Sequence, residues 1–269
     1  MRLVLQGDNL TGLKYMLSHS IHPSTFVIDP PYNTSTNRIY YRKNITPLNQ
    51  NKGDWDFFES HRSFLFHLYR RLYLIDKIIE NNGSIYIFTP DYYISYILHF
   101  LERMGWKYKN TLVWIKSNPV PRFSKTGYIL SQEFALFATK GTANYFKWQK
   151  FSDMLSYTKL PIVSGKERIK TPKYEDGKTK WLSSHATQKP IELIKKFISI
   201  SNPPGGIVSD VYAGSGTTLC AAEELGAPWI GCEIEESYID IIKYRFGNPT
   251  EKIYKGTQFN NIDIEIKKL

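Results

Sequence analysis

Two consecutive prolines follow a short apolar run near the N-terminus, and they restrict the fold more than any other feature. The run Phe26–Ile28 precedes Asp29, Pro30, Pro31 and Tyr32. The apolar run predicts a buried strand. Proline cannot continue a central strand, because it lacks an N–H group and its φ is fixed. The strand therefore ends at Asp29, and Pro31 favours an extended conformation at Pro30.

The four residues after this strand form a stiff loop that is rich in hydrogen-bond acceptors. The Asp29 carboxylate and nearby backbone carbonyls lie beside the ring of Tyr32. Acceptors next to a stacking ring suit a planar molecule with an exocyclic amine. The alternative is that Asp29 only forms a turn with its own backbone.

Strands and helices alternate at both ends of the chain. Apolar periodicity predicts strands at 3–5, 25–28, 84–88, 109–114, 133–139, 206–211 and 229–232. It predicts helices at 9–18, 55–80, 92–104, 190–199, 217–225 and 237–245, and a polar, aromatic loop at 33–55. This order is typical of an α/β fold with a Rossmann-like, doubly wound, mostly parallel sheet and helices on both faces.

The middle of the chain lacks this alternation and is basic. Residues 107–190 contain 16 Lys and Arg and 5 Asp and Glu, a net charge of +11 in a chain whose total is +10. A basic patch confined to one region is typical of nucleic-acid binding, and a solvated lysine surface is the alternative. We predict an insert of loops and irregular β structure at 118–184, packed on the main sheet, between two halves of one catalytic domain, 1–117 and 185–269.

Aromatic residues interleave with the basic ones in this insert: Tyr145, Trp148, Tyr157, Tyr174 and Trp181. They suit stacking on bases combined with phosphate neutralisation, or a small core under the loops. Nearby, Trp114 and Lys116 either line a substrate pocket or, for Trp114, form part of a buried strand.

Bulk composition indicates a cytoplasmic protein. The chain has no run of 18 apolar residues, and its N-terminus becomes polar too soon for a signal peptide. Its two cysteines, Cys220 and Cys232, both lie in apolar stretches. We interpret them as reduced core thiols, and we expect neither a metal site nor membrane attachment.

A second pattern lies near the C-terminus, where Gly214 and Gly216 connect a predicted strand to a predicted helix. Glycines allow tight turns and a close approach of the backbone to a ligand. Glu233 ends the next strand, where an acid accepts hydrogen bonds from ribose hydroxyls, although an exposed strand-end acid is the alternative. Leu219 replaces the third glycine of the dinucleotide fingerprint, which disfavours NAD and favours a nucleoside ligand without a pyrophosphate.

Together the motifs resemble the amino DNA methyltransferases that use S-adenosylmethionine. The Asp-Pro-Pro-Tyr form is typical of N6-adenine enzymes, whereas N4-cytosine enzymes more often have serine first. Because Asp29 precedes Gly214, the motif order is similar to that of the β class, in which the recognition region lies between the catalytic and cofactor motifs. Further segments of the chain resemble this class, including small type II methylases and type III modification subunits: Gly7–Leu10, Asn33–Thr34, Tyr40–Tyr41, Asn82–Phe88 and His185–Pro190. In the last segment Ala186 replaces a proline of the family.

The resemblance implies methyl transfer from S-adenosylmethionine to the N6 amine of an adenine flipped out of double-stranded DNA, with the insert recognising the target. It implies catalytic roles for Asp29, Pro30, Pro31 and Tyr32. It implies cofactor contacts from Asp8, Thr187, Gln188, Lys189, Asp210, Tyr212, Ala213, Gly214, Ser215, Gly216, Thr217, Thr218 and Glu233. In this scheme Asp8 lies near the cofactor adenine, and the segment Thr187–Lys189 holds its amino-acid end. The alternatives are that Asp8 only caps a helix and that Lys189 is solvated.

Other functions remain open at this point. N4-cytosine or RNA adenine methylation would use the same acceptor loop, and a catalytically silent DNA-binding subunit would need neither motif. A Rossmann oxidoreductase is disfavoured by Leu219. The resemblance is compatible with a homodimer and with a separate restriction endonuclease.

Overall fold

The computed structural model describes residues 1–32, 39–42, 45–49, 58–121, 126–175, 178–183 and 187–269. Its helices are Asn9–Ser18 (α1), His61–Ile78 (α2), Ile94–Arg103 (α3), Ile191–Ser201 (α4), Thr217–Glu224 (α5) and Glu236–Arg245 (α6). Its first strands are Arg2–Gln6 (β1), Thr25–Ile28 (β2), Ile39–Arg42 (β3), Ile45–Asn49 (β4), Ser84–Thr89 (β5), Lys107–Lys116 (β6) and Gln132–Thr139 (β7). The others are Tyr157–Leu160 (β8), Lys170–Glu175 (β9), Lys178–Ser183 (β10), Val208–Asp210 (β11), Trp229–Glu233 (β12) and Glu265–Lys268 (β13). None of the helices in these ranges is both long and apolar enough to cross a membrane.

Nine of the described strands form one sheet in the order β13-β1-β12-β11-β2-β5-β7-β6-β8. Strand β7 runs antiparallel to β5 and β6, and the other neighbouring pairs are parallel. One core cluster packs α1, α2 and α3 on one face, and a second packs α4, α5 and α6 on the other. The predicted α/β fold with a doubly wound, mostly parallel sheet is therefore confirmed.

Strand β2 lies at the centre of this sheet, and all four of its residues are buried. It pairs with β5 on one side and β11 on the other, with Phe26 opposite Ser209. The next strand of this sheet along the chain after β11 is β12, which lies on the side of β11 away from β2. The next strand of this sheet after β2 is β5, which lies on the side of β2 away from β11. The strand order thus changes direction between β11 and β2, and such a point is where α/β sheets bind ligands.

Several elements differ from the prediction in their limits. Helix α2 begins at His61 because the side chain of Ser60 accepts a hydrogen bond from the Ser63 backbone N–H, which caps the helix. The first turn predicted at residue 92 is a 3-10 turn, and α3 follows it. Strands β3 and β4 form an antiparallel hairpin within the segment predicted as a loop. The edge strand β13 was not predicted, because its polar, exposed sequence lacks the signal of a core strand.

The segment 118–184 contributes β7, between β5 and β6, to the main sheet, and it makes further contacts with the rest of the protein. Strand β8 extends the sheet beside β6, and the Trp114 indole N–H donates to the Leu160 carbonyl at 3.0 Å. Ile169 packs against Ile241 and Tyr254 in a small cluster of its own. Strands β9 and β10 form a separate hairpin. Trp114 is therefore a buried strand residue.

Candidate active site

A cavity of about 1090 Å³ opens at the carboxyl ends of β11 and β2. Its lining includes the predicted residues Asp8, Asp29, Pro30, Pro31, Tyr32, Thr187, Gln188, Lys189, Asp210, Tyr212, Ala213, Gly214, Ser215, Thr217, Thr218 and Glu233. Gly216 is absent from the lining and caps α5 with a φ of 75°. The catalytic and cofactor candidates, which are far apart in sequence, thus share one cavity. Single small-molecule pockets measure roughly 300–1,000 Å³, so this volume admits two ligand groups.

Asp29 has a hydrogen-bonding partner on each carboxylate oxygen. The Tyr32 hydroxyl donates to Oδ1 at 2.9 Å, and the Lys189 ammonium pairs with Oδ2. Burial raises the pKa of Asp29 above its ordinary value, and the nearby Lys189 ammonium only partly offsets this effect. The carboxylate is held by two side chains rather than by a turn of its own backbone.

Lys189 lies between two carboxylates in the wall of the cavity. Its side chain is only 6% exposed, so the alternative of a solvated lysine is wrong. Its Nζ lies 3.4 Å from Glu133 Oε2, and the other oxygen of Glu133 lies 2.8 Å from Lys116 Nζ. Burial disfavours the Lys189 ammonium, but the two carboxylates outweigh this effect and raise its pKa. Burial also disfavours the Glu133 carboxylate, yet the two lysines hold its pKa below the ordinary value.

Glu133 is a site residue that sequence reasoning missed. It lies in β7, and its partners come from distant parts of the chain. A single acid in a predicted strand does not indicate an ion-pair cluster. Its pairing with Lys116 and Lys189 depends on the order of strands in the sheet. Lys116 had been considered as a pocket residue, and it does line the cavity.

The glycine loop and Glu233 are joined directly. The Gly214 backbone N–H donates to Glu233 Oε2 at 2.7 Å, and the N–H groups of Ile234 and Glu235 donate to Oε1 at 2.8 Å. Glu233 is 8% exposed, so the alternative of an exposed strand-end acid is wrong. Burial outweighs these hydrogen bonds and raises its pKa to about 7.

Asp210 and Arg245 hold the rest of this loop. The Tyr212 backbone N–H donates to Asp210 Oδ1 at 2.9 Å, and burial raises the pKa of Asp210 to about 7. The buried Arg245 guanidinium donates to the Ser215 carbonyl at 2.9 Å and to Thr217 Oγ1 at 3.2 Å. The protein's own side chains therefore hold the loop at both ends.

Asp8 caps a helix and also lines the cavity. Its Oδ1 accepts a hydrogen bond from the Leu10 backbone N–H at 2.9 Å, and its Oδ2 pairs with Arg71 at 3.0 Å. Arg71 also donates to Asn9 at 2.5 Å, and Asn9 donates to the Val211 carbonyl at 2.9 Å. Sequence analysis did not identify Arg71 as a residue that positions Asp8. An arginine within the apolar stripe of α2 could have indicated a buried ion pair.

The segment before α4 connects the cavity to the insert. The Gln188 side-chain amide donates to the Glu167 carbonyl at 2.8 Å and accepts from the Ile169 backbone N–H at 3.3 Å. Its polar atoms thus bind the protein itself. Four residues of the resemblance lie outside the described residues: Asn33, Thr34, His185 and Ala186.

Comparison with known proteins shows the family of the chain. The model of a protein family described as DNA methylase, covering N6 and N4 enzymes, matches residues 24–244. The chain belongs to this family. It is 31% identical over 274 residues to the type II methyltransferase M.HinfI of Haemophilus influenzae, a match that covers 99% of this chain and 72% of that protein. The family assignment makes the chain a DNA methyltransferase.

Two solved structures share the fold. The M1.HpyAVI–SAM complex superposes with a TM-score of 0.62 at 25% identity, covering 91% of this chain and 99% of that one. The cytosine-N4-specific PvuII DNA methyltransferase superposes with a TM-score of 0.64 at 14% identity, covering 91% of this chain and 86% of that one. At that lower identity the likeness is one of fold alone.

Proposed function

We propose that this methyltransferase transfers a methyl group from S-adenosylmethionine to the N6 amine of an adenine in duplex DNA. The observation that carries the proposal is the shared cavity. The acceptor loop at Asp29 and the cofactor half at Gly214 and Glu233 line the same space, so a methyl donor and an amine can meet there. A silent DNA-binding subunit has no need for this arrangement.

The described residues fit the proposed cofactor. Glu233 offers a ribose acceptor beside the glycine loop, whose backbone is open to close approach. The buried carboxylates of Asp210 and Glu233 favour a ligand with positive charge, because a cation relieves the cost of ionising them. The segment Thr187–Lys189 remains our proposal for the amino-acid end of the cofactor, and the polar side-chain atoms of Gln188 and Lys189 also bind the protein.

Asp29 and Pro30 act on the target amine. The lone pair of this amine is conjugated into the ring, so the nitrogen is a poor nucleophile. The Asp29 carboxylate and the Pro30 carbonyl accept its two hydrogens, which favours tetrahedral geometry and frees the lone pair. The carboxylate then stabilises the positive charge that develops on the nitrogen.

S-adenosylmethionine supplies a methyl group on a positively charged sulfur, which keeps the electron pair of the broken C–S bond as the new N–C bond forms. The extra proton on the nitrogen is then lost to water. No covalent bond to the protein is needed. The protein contributes chiefly by holding the amine in line with the methyl group, which is an effect of proximity.

The target base must leave the DNA helix to reach Asp29, which lies in the wall of the cavity. Tyr32 lines the same wall, and we propose that its ring stacks on the flipped base. The basic insert supplies contacts to the phosphates, and a separate restriction endonuclease would cut the unmodified sequence. Duplex DNA is thus the proposed partner.

N4-cytosine methylation is the second candidate, because acceptors at Asp29 and Pro30 suit any exocyclic amine. The Asp-Pro-Pro-Tyr motif favours adenine. Mass analysis of nucleosides from duplex DNA treated with the protein and S-adenosylmethionine decides between them. N6-methyladenine supports the proposal, and N4-methylcytosine contradicts it in favour of the second candidate. Absence of cofactor binding by calorimetry would instead support the silent subunit.

A further inference from the structure

The target amine needs the same carboxylate that two side chains of the protein already bind. Tyr32 donates to Oδ1, and the Lys189 ammonium pairs with Oδ2. An amine that donates to this carboxylate must share it with both of them, since each oxygen keeps a further lone pair. Of the two, the ammonium carries a full positive charge and forms the stronger interaction.

The ammonium also opposes the reaction electrostatically if it stays in place. Methyl transfer creates positive charge on the amine nitrogen, and Asp29 is the group that stabilises this charge. A second cation on the same carboxylate repels the developing charge and neutralises its counter-ion. Efficient transfer therefore requires Lys189 to release Asp29.

Glu133 offers the ammonium a second acceptor within short reach. Its Oε2 is 3.4 Å from Lys189 Nζ, and Lys116 fixes its other oxygen at 2.8 Å. The rings of Tyr32 and Phe88 lie 5.3 Å and 5.0 Å from the same Nζ, so aromatic faces surround the ammonium. These contacts keep the charge stabilised while it moves.

We propose that Lys189 is a positioning residue that holds Asp29 in the free enzyme and moves to Glu133 when the target amine binds. Glu133 is the second positioning residue of this exchange. The inference rests on the proposed function, because it assumes an exocyclic amine as the group that displaces the ammonium. It applies equally to adenine and cytosine.

The pH dependence of the rate tests whether Lys189 and Glu133 act on the Asp29 charge, and the maximal rate and the behaviour of Lys189 itself test the exchange. Four groups influence the pKa of Asp29 or interact with its charge. They are Lys189 before α4, Tyr32 on the same loop, Glu133 on β7 and Asp210 on β11. Removing the Lys189 cation makes Asp29 harder to ionise, so the acid limb of the pH–rate profile moves to higher pH. Removing the Glu133 charge makes Asp29 easier to ionise, so the acid limb moves to lower pH.

The first experiment compares Lys189→Met and Glu133→Gln in steady-state methylation of duplex DNA across pH. We expect the opposite shifts described above. In Glu133→Gln we also expect the maximal rate to fall on the order of tenfold or more, because Lys189 keeps its bond to Asp29. Glu192→Gln is the matched control, since this exposed acid near Lys189 pairs only with Lys195 among the described residues. A Glu133→Gln variant with the pH profile and rate of the wild type would overturn the inference.

The second experiment observes Lys189 without relying on catalysis, by NMR of protein labelled with ¹³C in its lysines. Lys189→Arg assigns the signal. In the free protein it should titrate above the ordinary lysine range, and a signal that behaves like an exposed lysine overturns the inference. Adding S-adenosylhomocysteine and the recognised duplex should shift the signal in the wild type but not in Glu133→Gln.

A duplex with purine in place of the target adenine provides the amine-free control. It should leave the Lys189 signal in its free position, because no exocyclic amine competes for Asp29. A shift with this duplex would overturn the exchange while leaving methyl transfer intact. Absence of methyl transfer to DNA by the wild type would instead overturn the proposed function, and the exchange with it.

Discussion

Phe26 and Ser209 are register partners on adjacent parallel strands, and Asp29 and Asp210 lie just beyond them. The pairing brings the acceptor loop and the cofactor loop to one edge of the sheet. Each strand ends there for a local reason: prolines follow β2, and a glycine loop follows β11. The site is therefore a consequence of strand order.

Loss of the Asp29 charge should slow methyl transfer strongly while cofactor binding is kept. Asp29→Asn preserves the shape but lacks the carboxylate that accepts the amine hydrogens. We expect a fall in kcat of about 10²–10³-fold, comparable to removal of one charge-stabilising group in other enzymes. Tritium transfer and calorimetry measure the two properties separately. Asp29→Ala should behave alike, and transfer at the wild-type rate in either variant would contradict the mechanism.

Cofactor affinity should increase as the pH rises from about 5.5 to about 7.5. In the free protein the pKa values of Asp210 and Glu233 are both about 7, so each carboxyl is substantially protonated below that pH. A cationic ligand favours their ionised forms and lowers both values, so binding releases protons. Calorimetry in buffers of different ionisation enthalpy counts these protons. Proton uptake, or an affinity that falls over this range, would contradict the assignment.

Local sequence signals account for much of this fold. The limits of α1 and β2 agree with the prediction, because Asp8 caps the helix and the prolines stop the strand. These features depend on residues close together in sequence.

Gly216→Ala should destabilise the protein more than Gly226→Ala. Both glycines have positive φ, 75° and 69° respectively. Alanine in this left-handed conformation costs about 1–2 kcal/mol, and both substitutions share this loss of stability. At Gly216 a Cβ would also lie 2.9 Å from Ile242 Cγ1, whereas at Gly226 no atom lies within 4 Å. Overpacking adds about 1–3 kcal/mol to the first variant alone. Denaturant unfolding measures both, and equal losses would contradict the packing argument.

Lys180→Gln should weaken DNA binding and lower its salt dependence. Lys180 lies opposite Lys173 in the β9–β10 hairpin, within the basic segment 107–190, and a DNA phosphate near this hairpin would meet positive charge. We expect the slope of log affinity against log salt to fall by about 1, with no loss of stability. Lys77→Gln on α2, outside the insert, is the control. An unchanged slope in Lys180→Gln would argue against the hairpin as a DNA contact.

The remaining features depend on tertiary pairing that no local pattern reveals. Glu133 became part of the site because β7 lies antiparallel beside β5, which brings its carboxylate to Lys189. Strand β13 forms because β1 leaves an open edge, and its own sequence is mostly charged. Lys189 was predicted as a cofactor contact or a solvated residue, whereas its burial beside Asp29 depends on both halves of the chain.

The identity of the methylated base tests the central claim most directly. Duplex DNA is incubated with the protein and S-adenosylmethionine carrying a deuterated methyl group, digested to nucleosides and analysed by mass spectrometry. The account predicts label in N6-methyladenine with the wild type and its loss with Asp29→Asn. Label in N4-methylcytosine, or no labelled nucleoside at all, would contradict it.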